Sequence, residues 1–266
     1  MTQRDKIFIP LLDQFVSNNF DALINSGYPW APFIPYGFFN YNLSPKKIFY
    51  VGIDTYYWST TPSDLLNAYF SQNYSALFDK NDGTVTTSRI LLEWRKSKGP
   101  FWEFICKMQI FMQSQILKTT DELRHLSPQE AEFINELGYG NCNQIELPNT
   151  LQSEENWDGI NKDLYWKLSN SAKEIFSPIK NIIDCFEPDV IFILGADEND
   201  DYIFKGLKYK HLDCFDEGKW RKLYTIEGNK VKIIKTYHPR AFCSQGSNNE
   251  EMVEYLYQSL NLFPNY

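Results

Sequence analysis

The chain has 266 residues, with 26 Lys and Arg against 34 Asp and Glu, and a formal net charge of −8. Hydrophobic residues make up 43%, charged residues 23% and aromatics 17%, a balance that supports a sizeable core and excludes a disordered tail, a collagen-like repeat or a disulfide scaffold. The acidic total also speaks against indiscriminate coating of nucleic acid, because phosphate contacts need clustered Lys and Arg.

In chain order, residues 7–25 predict a helix that ends near Gly27. Charge inside this first apolar run and the lack of a small-residue cleavage site distinguish it from a signal peptide. A Pro-rich aromatic loop follows through Tyr36-Gly-Phe-Phe. Lys47-Ile-Phe-Tyr-Val-Gly-Ile-Asp then predicts a buried strand ending at Asp54, and Pro62 opens a helix. Residues 100–117 place Phe101, Phe104, Ile105, Met108, Phe111 and Met112 at helical spacing. Ser127-Pro-Gln-Glu is a capping-box start for the next helix. Residues 139–147 predict a second strand and Leu164 to Phe186 one long helix. Pro188 to Gly195 is the clearest buried strand, residues 220–236 form a hairpin turning at Glu227-Gly-Asn, and residues 249–261 form a helix.

No run approaches the roughly 18 apolar residues of a membrane span, so no membrane partner is expected. Five cysteines (Cys106, Cys142, Cys185, Cys214 and Cys243) lie far apart with no Cys-x-x-Cys pair. That pattern fits a reducing cytoplasm, with the thiols as buried small hydrophobes and no metal site built on them. The expected organisation is one domain over residues 1–266, with residues 1–44 as an N-terminal helical and loop extension. Helices alternating with short apolar strands argue for a three-layer α/β/α sandwich around a short, mostly parallel sheet. In such sheets ligands lie beyond the carboxyl ends of the strands, where this sequence places Asp54, Asn143 and His238.

Gly52-Ile-Asp-Thr-Tyr-Tyr at the end of the first strand and His238-Pro-Arg-Ala-Phe after the last resemble two signature motifs of the uracil-DNA glycosylase superfamily, Gly-Gln-Asp-Pro-Tyr-His and His-Pro-Ser-Pro-Leu. Asn141-Cys-Asn-Gln-Ile resembles the strand whose Asn reads the base, and Val190-Ile-Phe-Ile-Leu-Gly resembles the third core strand. Order and spacing agree over roughly residues 45–262. The resemblance implies a uracil-DNA glycosylase-like fold and a metal-free DNA glycosylase without cofactor, monomeric, acting on single- or double-stranded DNA. In it Asp54 and His238 are catalytic. Asn143, Tyr56, Tyr57, Gly52 and Ile53 surround the base, the residue at 53 serving through its backbone.

The residue chemistry agrees with those roles. Cleaving an N-glycosidic bond develops positive charge on the sugar and negative charge on the leaving base. A carboxylate at Asp54 could stabilise the cation and orient water. A neutral imidazole at His238 could donate to a base carbonyl, and an amide at Asn143 could read the edge of a flipped base. Tyr56 would wall the pocket, and an aromatic among Tyr57, Trp58 and the Tyr36–Phe39 loop could stack on the ring. Each residue also has a plainer reading: Asp54 as a cap, Asn143 as a turn residue with Asn141 competing for its place, His238 as an ordered loop residue. Ile53, Thr55 and Tyr57 replace the family's Gln, Pro and His, and Arg240 and Phe242 stand near the place of its wedging Leu. These departures move the expected substrate away from uracil itself towards a uracil-like or modified base.

Charge is unevenly distributed along the chain. Residues 205–240 hold ten Lys and Arg against four Asp and Glu, and residues 89–98 hold four against one. A basic block beside the second motif fits a DNA-binding edge, with Arg240, Lys235, Arg221 and Lys222 as its expected contacts. Two other classes compete: a catalytically silent member of the fold that binds nucleic acid or protein, and a hydrolase of free nucleosides or nucleotides.

Overall fold

A computed structural model describes residues 1–25, 31–38, 40–53, 61–78, 99–145, 161–195, 199–212 and 221–264. Its centre is a seven-stranded mixed sheet. The strands are β1 (Tyr36–Gly37), β2 (Ile48–Gly52), β3 (Leu137–Asn141), β4 (Val190–Leu194), β5 (Tyr209–Leu212), β6 (Arg221–Ile226) and β7 (Lys232–Thr236), in the order β1-β3-β2-β4-β7-β6-β5. The inner four, β3-β2-β4-β7, are parallel, while β1, β6 and β5 pair antiparallel to their neighbours. The α/β architecture is as expected, but the sheet is not short: the β5–β6 hairpin extends one side and β1 the other.

The parallel core arises from sequence that is apolar on both faces. Every residue of β2 and of β4 is buried, as strands covered on both sides must be. On one face Ile48, Tyr50, Leu137, Phe192 and Ile234 pack beneath α3 (Pro100–Ser114) and α8 (Asn249–Ser259). On the other, Phe49, Val51, Ile191, Ile193 and Ile233 pack against α6 (Pro178–Phe186) and α7 (Asp200–Ile203). A further apolar cluster joins α1 (Gln3–Ile24), α2 (Pro62–Ser71) and α5 (Lys162–Ile175) through Phe8, Leu12, Phe15, Leu65 and Leu168. Helices therefore cover both faces of the sheet.

Four local expectations need correction. The second strand starts at Leu137 rather than 139 and ends at Asn141, because Gly138 and Gly140 are strand residues here. A Cβ at Gly138 would collide with the Phe49 ring, and one at Gly140 would come within 3.1 Å of it, so glycine is what lets that aromatic lie across β3. The long helix is two, α5 and α6, broken where Pro178 occupies the first turn of the second. Strand β5 went unanticipated. The thiols are not uniformly buried: Cys106 and Cys142 are, Cys185 is half-buried and Cys243 is exposed. The capping box of α4 (Pro128–Ile134), with Ser127 bonded to the Glu130 N–H and Glu130 to the Ser127 N–H, forms as expected.

One buried cation ties together two helices of the same layer, α3 and α8. Lys107 of α3 is 0% exposed, and its ammonium donates to Glu103 at 2.6 Å, Thr120 at 2.9 Å and Glu250 of α8 at 2.6 Å. All three of its donors are used, as burial of a charge demands. Among the described residues no helix is long and apolar enough to cross a membrane.

Candidate active site

From β2 the chain continues to β3 on one side, and from β4 it crosses to β5 at the far edge of the other side and returns through β6 to β7, so strand order reverses between β2 and β4. The carboxyl ends of strands at such a reversal form the crevice where open α/β sheets bind ligands. Gly52 ends β2 there, Asn141 ends β3, Gly195 follows β4, and His238 follows β7.

Gly52 is the pivot of the arrangement. A Cβ built on it would lie 2.7 Å from Asn141 Oδ1, 3.2 Å from the Tyr139 hydroxyl and 3.3 Å from Phe101 Cζ. Any side chain at this position would displace the cluster. Phe101, in the first turn of α3, also lies parallel to the His238 ring, with centroids 5.2 Å apart and planes within 13°. Trp102 and Phe33 pack on Tyr139 at 5.0 and 5.9 Å. Gly52, Tyr139, Asn141, Phe101 and His238 are thus one contiguous group on the α3 face of the sheet.

His238 is half-buried and begins a 3-10 turn, Pro239–Ala241. Its Nδ1 accepts the backbone N–H of Arg240 at 3.1 Å. That bond assigns the proton of the neutral ring to Nε2. Burial, with a smaller contribution from the Arg240 charge, lowers its pKa from 6.5 to about 4. At neutral pH the ring is therefore an uncharged Nε2–H donor.

Asn141 is 1% exposed. Its Oδ1 accepts the Tyr139 hydroxyl at 2.9 Å, its backbone carbonyl accepts Gln144 Nε2 at 3.0 Å, and its Nδ2 is buried without a hydrogen-bond partner. Asn143 is half-buried two residues further on, its backbone N–H donating to the Ile53 carbonyl at 2.9 Å. Of the two amides left open by the sequence, Asn141 is the one set among Gly52, Tyr139 and Phe101. Ile53 turns to the opposite face, where its side chain fills the space above Gly195. Asp54, Tyr56 and Tyr57 lie outside the described residues, as do Thr55, Trp58, Phe39, Cys214 and the basic segment 89–98.

The expected basic edge is redistributed. Lys235 is 1% exposed, and its ammonium donates to Asp200 at 2.8 Å. Residues 235 and 236 leave opposite faces of β7, so Lys235 points under α7 rather than towards the site, and its assignment as a DNA contact is withdrawn. Burial raises the Asp200 pKa, but hydrogen bonds from Lys235 and Tyr224 and the charges of Lys235 and Lys222 outweigh it and hold the carboxyl below its usual value. Lys222 is half-exposed, 3.6 Å from the same carboxylate. The Arg221 guanidinium lies 4.3 Å from the Tyr255 ring centroid. Arg240 is exposed, two residues from His238. Phe242 is 1% exposed and packs edge-on against Phe104, so it is a core residue and not a wedge.

An open hollow of about 570 Å³ lies beside the Glu227–Asn229 turn, bordered by Lys208, Lys210 and Lys230. It adjoins the start of β7, at the end of that strand away from His238, and is separate from the cluster. Among the described residues no three His, Cys, Asp or Glu side chains converge as metal ligands. Phe101 and Tyr139 were not anticipated as site residues. Phe101 reads as one more apolar position on its helix, and Tyr139 as one more strand aromatic. The signal for Tyr139 was its two-residue spacing from Asn141, which puts both side chains on one face.

No family model matches the chain, and no curated protein matches it.

Proposed function

We propose that this chain is a DNA glycosylase with the fold of the uracil-DNA glycosylase superfamily, hydrolysing the N-glycosidic bond of a flipped, uracil-like or modified base. The observation that carries the reading is the state of His238. A half-buried imidazole, neutral at physiological pH with its proton on Nε2, sits beyond the end of a parallel strand and stacks on Phe101, in the same cluster as a buried amide. Such a donor stabilises the negative charge that gathers on a departing base without itself giving up a proton. The Asn141 amide supplies polar contacts for a base edge, and Phe101, Trp102 and Tyr139 supply aromatic walls. Asp54, two residues after Gly52, is assigned by its motif to the sugar side of the bond. There a carboxylate would stabilise the oxocarbenium ion and orient the attacking water. Arg240, exposed on the turn that carries His238, is the leading candidate for a phosphate contact.

The test is excision from a panel of oligonucleotides carrying uracil, G·U and G·T mismatches, hydroxymethylated and glycosylated pyrimidines and oxidised purines. Release of a base leaving an abasic site, lost in Asp54→Asn and His238→Ala while both variants unfold like the parent, is the expected result. Unimpaired excision by both variants would refute the catalytic assignment. Binding of DNA without abasic-site formation on any substrate would favour a catalytically silent member of the fold.

A further inference from the structure

His238 is held at two points. Its Nδ1 accepts the Arg240 backbone N–H at 3.1 Å, and Phe101 lies parallel to the ring at 5.2 Å between centroids, with the planes 13° apart. A backbone N–H can only donate, so the bond fixes which edge of the imidazole faces the turn. It leaves the ring free to swing about the N–H···N axis. A flat partner lying on one face removes that freedom, and the offset stack of Phe101 has the geometry of such a partner.

Phe101 is itself placed to act as a stop. Side chains lean towards the N-terminus of their helix, so a residue in the first turn of α3 reaches past the helix end. Trp102 and Tyr139 stand edge-on to the Phe101 ring at 5.5 and 6.1 Å, and the bare α-carbon of Gly52 leaves room for its tip. One turn further along α3, Phe104 meets Phe242 at 5.2 Å. Two aromatic contacts from a single helix thus brace the turn that carries His238.

We infer that Phe101 is a positioning residue: its ring face sets the plane of the His238 imidazole and with it the direction of the Nε2–H. The inference rests on the glycosylase reading of the site. Charge gathers on a departing base only as the bond breaks, so a misdirected donor costs rate rather than binding. The same face shields one side of the imidazole from water. Among the described residues, the charge acting on the ring is that of Arg240, and α3 contributes the apolar face of Phe101.

The test is Phe101→Leu, which keeps apolar bulk and removes the flat face, with Phe101→Met in its place should the leucine variant not fold. Met112→Ala, buried and three turns further along α3, is the control for a helix that is merely less stable. Single-turnover excision is measured over a range of DNA concentrations on a substrate the parent cleaves, and the His238 ring is titrated by ¹⁵N NMR. Phe101→Leu should excise about 10- to 100-fold more slowly at saturating DNA, with half-saturation within about threefold of the parent. Its His238 midpoint should rise by about one pH unit, because leucine covers less of the ring and the charged form is penalised less. Met112→Ala should unfold at a lower temperature with both readouts unchanged. A folded Phe101→Leu that keeps the parent's rate and midpoint overturns the inference and leaves the glycosylase reading standing. Equal losses in Phe101→Leu and Met112→Ala reduce Phe101 to a structural role and overturn it too. A raised half-saturation at an unchanged rate makes Phe101 a wall for the base, which also overturns it. A midpoint that shifts in Phe101→Leu alone, while neither it nor the parent releases a base, supports the stop and overturns the reaction.

Discussion

The titration of His238 is the sharpest consequence of the site. Its pKa is displaced from 6.5 to about 4, by burial first and by the Arg240 charge second. At about 1.4 kcal/mol per tenfold change in proton affinity, the displacement corresponds to about 3 kcal/mol between the two protonation states. The ring keeps some contact with solvent, so about 2 kcal/mol is the expected effect on stability. Above pH 6.5 the imidazole is neutral in the folded and unfolded chain alike, and it contributes no pH dependence. Between about 6.5 and 4 the unfolded chain binds a proton that the folded chain refuses, so stability falls as pH falls, and the loss levels off below about 4. Urea unfolding of the parent and of His238→Gln at pH 7, 6, 5 and 4 isolates the effect, because carboxylate titrations are common to both. The parent should lose about 2 kcal/mol more than the variant over that range. The chain has only three histidines, so ¹⁵N spectra of the parent and the variant assign the His238 ring directly. A midpoint at or above 6.5, a ring protonated on Nδ1, or parallel unfolding curves would refute the description of His238 as a neutral Nε2–H donor.

Two further outcomes follow from the same geometry. Gly52→Ala should cost about 1–3 kcal/mol in urea unfolding, through overpacking against Asn141, Tyr139 and Phe101, and should abolish excision; an active variant would show that the cluster is not the site. Lys235→Met and Arg240→Ala should separate structure from DNA contact. The first should lower stability by about 1–3 kcal/mol, because Asp200 loses its nearest cation and is left with Tyr224 and Lys222, without changing the salt slope of DNA binding. The second should leave stability alone and reduce that slope by about one, and the reverse pattern would exchange their roles.

How much of this was legible in sequence depends on which residues carry the signal. β2 and β4 are visible because strands apolar on both faces write themselves as continuous runs, and the hairpin turn at Glu227-Gly-Asn marks itself. β1 has only two residues, and β5, Tyr-Lys-His-Leu, resembles a solvated lysine-rich loop, so neither stands out. β3 starts two residues before the expected strand because Gly138 looks like a turn residue until Phe49 is known to lie across it. The break between α5 and α6 is written in Ser177-Pro178, but the helical apolar pattern on either side runs across it.

The site divides in the same way. His238 is found from sequence because it follows an apolar run directly. Choosing between Asn141 and Asn143 requires knowing where β3 ends, and assigning Lys235 requires knowing which face of β7 it leaves, which a register error of one residue reverses. Phe101 becomes a site residue only when α3 is docked across the strand ends, which is a tertiary fact.

That docking has a consequence for the order of events in folding. The Lys107–Glu250 contact spans 143 residues of chain, and with it α8 is clamped to the helix that carries Phe101. Closing so long a loop is entropically slow, and during synthesis it must wait until Glu250 has emerged. The β2–β4 pairing, Ile48 with Val190, closes a loop as long, but all of its residues precede α8 in the chain, so that part of the sheet can form before the clamp. A chain interrupted before α8 would hold the strands of the crevice without the Lys107–Glu250 clamp on the helix that carries Phe101.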